Sequence, residues 1–415
     1  MGQTIIEKII SNHAENNVYA NDITVASVDF VMATDTTAPL TIRAFEEMEA
    51  KSLFDPTKMA LVIDHASPAP NERVAKLHDL MRAFAKEHGV KLYDIGEGIC
   101  HQIMIENAHA KPGQIILGAD SHTTTYGAVG AFSTGVGSTD LAGVMMTGKT
   151  WFKVPETIKI ELNGKLREGV TAKDLILYLI GNLSVDGATY KSIEFTGEAI
   201  EEFTLDSRMT LANMVVEMGA KAGLVDPKGL ELPYNDFELV KPDDNANYQT
   251  IYKFNVSEIE PQIAVPHSPD NVMPISSQEK IKVQHAFIGT CTNGRLEDLQ
   301  SAAAILNGRE IHPEVRLLIA PASRKVFLDA MNDGTAEILM KAGASFITPG
   351  CGPCVGTHQG VPGNNEVVAS TANRNFQGRM GNRHSNIYLG SPAFVAASAL
   401  NGCITNPNKM EITQN

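Results

Sequence analysis

The sequence predicts an α/β protein built of three α/β/α domains with parallel or mixed sheets. The chain has 415 residues, which is more than one hydrophobic core usually serves, because domains hold about 100 to 200 residues each. Hydrophobic residues make up 43% and charged residues 20% of the chain, as is typical of globular proteins. Short apolar runs alternate with segments of helical spacing, and this alternation favours parallel strands joined by helices.

The first predicted domain covers residues 1–155 and the second covers residues 156–278. In the first, three apolar runs have the length of buried strands: Met59–Ile63, Lys91–Ile95 and Gln114–Leu117. Arg73–Glu87 between them has helical spacing. The second domain opens with a predicted strand, Ile158–Leu162, and a helix, Thr171–Ile180, that a threonine caps. The segment 261–277 is rich in Pro, Ser, Asn and Asp, which indicates a linker or surface crossing.

The third predicted domain covers residues 279–415. Its predicted strands are Ile281–Ile288, Arg316–Ala320, Ser345–Thr348 and Glu366–Ala369. Helical segments separate them, so we expect right-handed crossovers and a parallel sheet.

One segment of the first domain matches a nucleotide-binding pattern by chance. Gly143–Thr150 fits the phosphate-loop consensus letter for letter. Such a loop must follow a strand and open a helix. Here a helix that begins at Ser138-Thr-Asp140 already runs through the segment, so we do not expect nucleotide hydrolysis.

Composition and charge narrow the classes of partner. The formal net charge is −14, which repels phosphate backbones and disfavours nucleic acid as a partner. No stretch approaches the roughly 18 apolar residues of a membrane span, and the first residues lack the pattern of a secretory signal. We therefore expect a soluble, cytoplasmic protein without membrane partners.

Three cysteines are expected to lie together. Cys291 follows one predicted strand, and Cys351 and Cys354 follow another in Pro-Gly-Cys-Gly-Pro-Cys. Loops after parallel strands share the carboxyl edge of a sheet, where sites assemble. Three thiolates could hold an iron-sulfur cluster and leave one iron open as a Lewis acid, whereas purely redox clusters normally take four cysteines.

Other uses of these cysteines stay open at this point. A zinc site completed by His358 is one alternative, and a thioredoxin-like exchange pair is another, although it would leave Cys291 without a role. The remaining cysteines, Cys100 and Cys403, are expected to be small buried apolar residues rather than ligands.

Ordered motifs over nearly the whole chain resemble the aconitase superfamily. They are Ile63-Asp-His65, Gly98-Ile-Cys-His-Gln102, Gly118-Ala-Asp-Ser-His-Thr123, Asn213-Met-Val-Val-Glu217, Gly289-Thr-Cys-Thr-Asn293, Cys351-Gly-Pro-Cys-Val-Gly356 and Ser370-Thr-Ala-Asn-Arg-Asn-Phe-Gln-Gly-Arg379. The resemblance implies an aconitase-like fold with a 4Fe-4S cluster at the domain interface, held by Cys291, Cys351 and Cys354 with one iron open.

The resemblance also implies roles for residues around the cluster. Three carboxylate–histidine pairs are expected to handle protons: Asp64 with His65, His101 with Asp120, and His122 with Glu217. Substrate binding is expected from Arg374, Arg379 and Ser121, because guanidinium groups bind carboxylates bidentately. Supporting hydrogen bonds to cluster or substrate are expected from Asn213, Asn293 and Asn373.

The chain length matches the separate large subunit of the two-subunit dehydratases in this superfamily. The swivelling domain with the proton-abstracting base is absent, so the resemblance implies a small partner subunit that supplies it. The implied reaction isomerises a 2-hydroxy dicarboxylic acid by dehydration and rehydration. Isopropylmalate is the favoured substrate. Homocitrate and dimethylmalate stay open as alternatives, because Tyr126 stands where many leucine-pathway subunits have histidine. An RNA-binding regulator without a cluster is a further alternative, which the net charge disfavours.

Overall fold

The structure is a computed structural model that describes residues 2–409 apart from 231, 233, 235, 236, 238 and 279. Residues 279 and 410–415 of the third predicted domain therefore lie outside the described part. Within that part, the strands are β1 Ile23–Ser27, β2 Phe30–Thr34, β3 Met59–Val62, β4 Lys91–Tyr93, β5 Ile115–Gly118, β6 Phe132–Gly135, β7 Lys149–Lys153, β8 Thr157–Asn163, β9 Ser192–Thr196, β10 Ala222–Val225, β11 Thr250–Asn255, β12 Gln262–Ala264, β13 Val272–Pro274, β14 His285–Ile288, β15 Arg316–Ile319, β16 Ser345–Phe346, β17 Val367–Ser370 and β18 Asn386–Leu389. The helices are α1 Ile5–Ala14, α2 Ala38–Glu47, α3 Glu72–His88, α4 Cys100–Glu106, α5 Ser138–Thr147, α6 Ala172–Leu183, α7 Glu198–Glu201, α8 Leu205–Met214, α9 Leu296–Leu306, α10 Arg324–Asn332, α11 Thr335–Lys341 and α12 Pro392–Asn401.

The described residues form two compact units. The first unit takes its residues from Met1–Ile95, Cys100–Lys165 and Asp186–Val256. The second takes its residues from Gly96–Ile99, Leu166–Val185 and Ser257–Asn415. The predicted domain boundaries at residues 155 and 278 stay a prediction.

Five parallel strands form the largest sheet of the first unit, in the order β4-β3-β2-β5-β6. The chain begins at β2, moves outward through β3 and β4, and then returns to place β5 on the other side of β2. This reversal is a topological switch point, and ligands of open α/β sheets bind beside such points at the carboxyl ends of the strands. All residues of β2, β3 and β5 are buried.

The sheet of the second unit repeats this strand order. Its order is β13-β12-β18-β17-β14-β15-β16, and the five strands from β14 to β18 are parallel. The chain moves outward from β14 through β15 and β16, and then returns to place β17 beside β14. A second switch point therefore lies between β14 and β17, while β12 and β13 extend the sheet in antiparallel pairing.

The first unit also contains a parallel four-stranded sheet in the order β10-β9-β8-β11 and an antiparallel ribbon of β1 and β7. The predicted α/β class with parallel and mixed sheets is confirmed. Among the described residues, no helix combines the length and the apolar character that crossing a membrane requires.

The predicted helices and strands are found where expected, and their ends differ by no more than four residues. α6 begins after Thr171, and Thr171 and Asp174 cap each other's backbone. α3 ends at Gly89 with φ 71°, a left-handed conformation that favours glycine. α5 runs through Gly143, as expected from the chance phosphate-loop match, although its N-cap is Gly137 rather than Ser138.

The predicted linker at residues 261–277 is wrong. This segment contains β12 and β13, and all three residues of β12 are buried. β12 pairs with both β13 and β18. Each strand has only three residues, which is too few to show an alternation of polar and apolar positions. The Pro, Ser, Asn and Asp residues of the segment therefore favoured a linker.

Candidate active site

Acidic residues and a histidine follow the strands at the switch point of the first unit. Asp35 follows β2, Asp64 and His65 follow β3, and Asp120 follows β5. Asp64 is fully buried and His65 is 8% exposed. The order of the parallel strands therefore brings residues from three distant parts of the sequence to one edge of the sheet.

His65 lies between two carboxylates. Its Nδ1 is 2.7 Å from Asp64 Oδ1, and its Nε2 is 3.4 Å from Asp120 Oδ2. Burial by itself lowers the pKa of His65, but the two carboxylates outweigh burial and hold that pKa well above its ordinary value. Burial raises the pKa of Asp120, and hydrogen bonds from His101 and His65 reverse this effect and hold it well below its ordinary value. The two carboxylates therefore favour the imidazolium form of His65, which can donate a proton.

His101 shares Asp120 with His65. It lies in the first turn of α4, and its Nε2 is 2.9 Å from Asp120 Oδ1. Its Nδ1 is 3.0 Å from the hydroxyl of Tyr126, which is completely buried. Both ring nitrogens of His101 are thus held by side chains, which fixes the orientation of the ring. In the sequence, Tyr126 was noted only because many related subunits have histidine at this position, and its contact with His101 was not predicted.

His122 pairs with Glu217 from a different part of the chain. The distance from His122 Nε2 to Glu217 Oε1 is 2.9 Å, and both side chains are buried. Asn213 donates to the hydroxyl of Thr125 at 2.8 Å, close in sequence to this pair. Ser121 is exposed. The three carboxylate–histidine pairs are thus hydrogen-bonded, and their roles in proton transfer stay predictions.

Asp35 is a buried acidic residue that the motif search missed. Its carboxylate accepts hydrogen bonds from the backbone N–H groups of Asp64, His65 and Ala66 at 3.2, 2.8 and 2.8 Å. His78 Nε2 lies 3.3 Å from the same carboxylate. Burial raises the pKa of Asp35, but these hydrogen bonds and the positive charge of His65 lower it to about 2. Its position after β2, at the switch point, is the signal that could have found it.

A cavity of about 570 Å³ borders this cluster within the first unit. Asp120 and Ser121 line it together with Lys153, Tyr190 and Lys221. The two lysine Nζ atoms lie 5.9 and 5.6 Å from the centre of the Tyr190 ring. The lining thus combines the two lysines with the carboxylates of Asp120 and Asp140, so the cavity offers both cationic and anionic groups to a ligand. No sequence motif includes these lysines, so they were not among the predicted site residues.

The three predicted cluster cysteines lie in the second unit, and all are buried and outside any disulfide. Cys291 follows β14, and Cys351 follows β16 and precedes the turn that contains Cys354. Thr290, directly before Cys291, has φ 78°, a strained conformation for a β-branched residue. Backbone strain of this kind concentrates at functional sites.

Amide and guanidinium groups donate to two of the sulfur atoms. Asn373, after β17, places Nδ2 3.5 Å from Cys291 Sγ, and Arg379 donates to Cys354 Sγ at 3.7 Å. Such donors stabilise thiolate ligands and tune a bound metal centre. Three buried thiols, two of them with donors aimed at the sulfur atom, fit a cluster with three cysteine ligands. Arg379 thus contacts a cysteine in this structure, and its expected role in substrate binding stays a prediction.

The other predicted residues of the second unit have varied surroundings. Asn293 donates to Asp298 at 2.9 Å, and Arg374 is partly exposed. His358 has its ring nitrogens 3.1 Å from the side chains of Thr357 and Gln359. These contacts occupy the ring nitrogens that a zinc site would use.

The two remaining cysteines differ in burial. Cys100 in the first unit is fully buried, as expected, whereas Cys403 in the second unit is partly exposed. Cys403 Sγ lies 3.7 Å from the hydroxyl of Thr405.

Comparison with known proteins gives consistent matches over the whole chain. A model of the aconitase family (aconitate hydratase) matches residues 7–402. The chain is 48% identical to the 3-isopropylmalate dehydratase large subunit 1 of Methanopyrus kandleri, over 98% of this chain and 99% of that protein. It is 50% identical to the corresponding subunit of Thermotoga maritima, over 99% and 100%. It is also 51% identical to a probable methanogen homoaconitase large subunit of Methanosarcina mazei, over 93% and 100%.

A solved structure shares the fold. The crystal structure of Thermococcus kodakaraensis aconitase X in its holo-form matches with a TM-score of 0.51 and covers 89% of each chain. Its sequence is only 13% identical, so this likeness concerns the fold alone.

Proposed function

The chain belongs to the aconitase family, and we propose that it is the large, cluster-binding subunit of a 3-isopropylmalate dehydratase. This enzyme is a hydro-lyase that isomerises a 2-hydroxy dicarboxylic acid in leucine biosynthesis by removing and re-adding water. Relatives with this name match at 48% and 50% identity over almost the full chain. The observation that carries the proposal is the set of three buried cysteines outside any disulfide, with donors aimed at two of their sulfur atoms.

The cofactor is a 4Fe-4S cluster, for which Cys291, Cys351 and Cys354 are the proposed ligands. When bound with three thiolates, it supplies an open iron that polarises a hydroxyl group as a Lewis acid. Asn373 and Arg379 stabilise the thiolates by hydrogen bonds to sulfur.

The side chains of the first unit handle protons in this proposal. His65 is held cationic by Asp64 and Asp120, so it can protonate a hydroxyl as it leaves as water. His101, fixed by Asp120 and Tyr126, and the pair of His122 and Glu217 are further proton carriers. Ser121 and Arg374 bind the substrate carboxylates, since a guanidinium group matches a carboxylate in shape and charge.

A small partner subunit completes the enzyme. The matched relatives are named large subunits, and we propose that the partner brings the swivelling domain and the base that abstracts the substrate proton. The location is proposed to be the cytoplasm, because none of the five cysteines is in a disulfide, as is usual in a reducing compartment.

Homoaconitase is the second candidate, because the Methanosarcina mazei relative is 51% identical. Dimethylmalate is a third possible substrate for the same chemistry. The experiment is to reconstitute the chain anaerobically with its small subunit and to compare kcat/KM for isopropylmalate, homocitrate and dimethylmalate. Isopropylmalate is expected to be preferred by more than about 10-fold, a difference of about 1.4 kcal/mol. A preference for homocitrate would show that the chain is a homoaconitase subunit and not a 3-isopropylmalate dehydratase subunit.

The cluster is tested by Cys351→Ser. This change removes a thiolate ligand, so iron, acid-labile sulfide and dehydratase activity are all expected to be lost. Cys403→Ser is the matched control, because Cys403 bonds only to Thr405 among the contacts described, and it should retain all three. A Cys351→Ser enzyme with full iron and activity would falsify the cluster assignment.

A further inference from the structure

A fully buried lysine begins helix α6 in the second unit. Lys173 is 0% exposed, although lysine is almost never completely buried unless its charge is paired or hydrogen-bonded. Its position in the first turn of a helix predicts an exposed side chain. A buried ammonium group of this kind therefore needs a specific reason.

The ammonium group of Lys173 donates to two separate loops. Its Nζ lies 2.7 Å from the carbonyl oxygen of Thr371, 2.9 Å from that of Ala372 and 3.3 Å from the hydroxyl of Thr292. Asp174, the adjacent carboxylate, accepts instead from Thr171 and from other backbone groups. Lys173 thus meets oxygen atoms that belong to the ends of β14 and β17, the strands at the switch point.

Those two loops carry proposed cluster residues. Thr292 directly follows Cys291, and Ala372 directly precedes Asn373, whose amide donates to the sulfur of Cys291. The loops also bond to each other, because the hydroxyl of Thr292 donates to the carbonyl oxygen of Thr371 at 3.1 Å. Lys173 therefore holds a thiolate loop against the loop that supplies its hydrogen-bond donor.

A second buried cation contacts the same loop. Arg295 is 1% exposed, and its guanidinium group donates to the carbonyl oxygens of Cys291 and Thr292. Two positive side chains thus lie under the Cys291 loop within the protein interior. A fixed charge in a low-dielectric interior acts strongly on nearby charge, and a cluster with three thiolate ligands is negative overall.

We propose that Lys173 is a positioning residue for the cluster: it fixes the Cys291 and Asn373 loops and supplies a buried positive charge that stabilises the thiolates and the reduced cluster. This inference rests on the proposed function, because it requires that the cluster is bound. Net charge and hydrogen bonds around the sulfur atoms are among the factors that determine cluster potentials. Removal of the positive charge should therefore shift the midpoint potential to more negative values and make the cluster easier to oxidise.

The test uses the full chain, reconstituted anaerobically with iron and sulfide. Lys173→Met removes both the charge and the donors at similar length, and Lys173→Gln keeps an N–H donor without the charge. Lys341→Met is the matched control, because its side chain is 75% exposed in the same unit. The measurements are iron and sulfide per chain, the midpoint potential, and the rate at which the labile iron is lost in air, followed by the spin-resonance signal of the three-iron cluster.

Both Lys173 variants are expected to show a more negative midpoint potential and faster iron loss. Lys173→Met is also expected to bind iron more weakly, by about 10- to 100-fold in affinity. Lys341→Met should match the wild type. If Lys173→Met does not fold, Lys173→Gln decides the question. A Lys173→Gln chain with a full complement of iron and an unchanged potential overturns the proposal. A wild-type chain that takes up no cluster contradicts the proposed function instead.

Discussion

Asp35 offers a direct test of how the proposed site is held in place. Its carboxylate accepts three successive backbone N–H groups, from Asp64 to Ala66, and lies 3.3 Å from His78 Nε2. The turn that carries His65 is thus fixed by a side chain from the neighbouring strand. Asp35→Asn keeps the shape of this side chain but removes its charge and replaces one acceptor oxygen with an N–H₂ group, which cannot accept the backbone donors.

The expected loss of stability follows from the pKa of Asp35, which falls from the ordinary 3.8 to about 2. Each pKa unit corresponds to about 1.4 kcal/mol, so ionised Asp35 contributes about 2.5 kcal/mol to the free energy of unfolding. The folded-state pKa is depressed, so this contribution is present above pH 3.8 and is lost as the pH falls towards 2. Asp35→Asn should therefore cost about 2.5 kcal/mol at pH 7.

The assay is amide hydrogen exchange of the peptide that contains residues 64–66, followed by mass spectrometry at pH 7. Loss of about 2.5 kcal/mol from the free energy of local opening should speed exchange there by about 60-fold, since 1.4 kcal/mol corresponds to a factor of ten. Asp55→Asn is the control, because Asp55 caps an exposed turn through Thr57. If the peptide of Asp35→Asn exchanges at the wild-type rate, Asp35 does not hold the His65 turn.

Three further predictions concern buried side chains of the first unit. Burial raises the pKa of Glu194 from 4.5 to about 7, so the free energy of unfolding of the wild type should fall by about 3 kcal/mol as the pH rises from 4.5 to 7. Glu194→Gln should remove this fall, as measured by thermal unfolding at each pH, and an unchanged pH dependence would contradict the assignment. Tyr126→Phe frees His101 Nδ1 and should lower kcat of the reconstituted enzyme about 10-fold with unchanged iron content; full kcat would exclude an orienting role. Glu217→Gln removes the anionic partner of His122 and should lower kcat about 100-fold with little change in KM, and a rise in KM alone would indicate substrate binding instead.

The sequence predicted the residues that follow strands better than the residues that support them. Cys291 stands shortly after an apolar run, so the rule that sites form at the carboxyl edge of a parallel sheet placed it there without coordinates. Asp64 and Asp120 came from the family resemblance, and their positions after apolar runs agree with the same rule. The same rule applies to Asp35, but its strand, β2, was not among the predicted strands. The prediction therefore missed Asp35 because one strand was missing from it.

Lys173 could not have been found by any rule of this kind. Residues in the first turn of a helix are usually solvated, and only the packing of α6 in the second unit buries this one. Two of its three acceptors are main-chain oxygens, which leave no trace in a sequence. The short strands β12 and β13 were missed for a related reason, because three residues are too few for an alternating pattern. The burial of Lys173 and the strands β12 and β13 thus depend on tertiary packing, which a local sequence pattern does not show.

The contrast between two buried histidines explains why pairing matters more than residue type. His285 lies in β14, and among the described contacts neither of its ring nitrogens has a hydrogen-bond partner. Burial and the nearby Arg316 lower its pKa to about 4, so it is neutral at pH 7. His65 is similarly buried, yet Asp64 and Asp120 raise its pKa well above the ordinary value and favour its cationic form. A dehydratase needs an acid that is still protonated at neutral pH, and carboxylates on both sides let a buried imidazole meet that requirement.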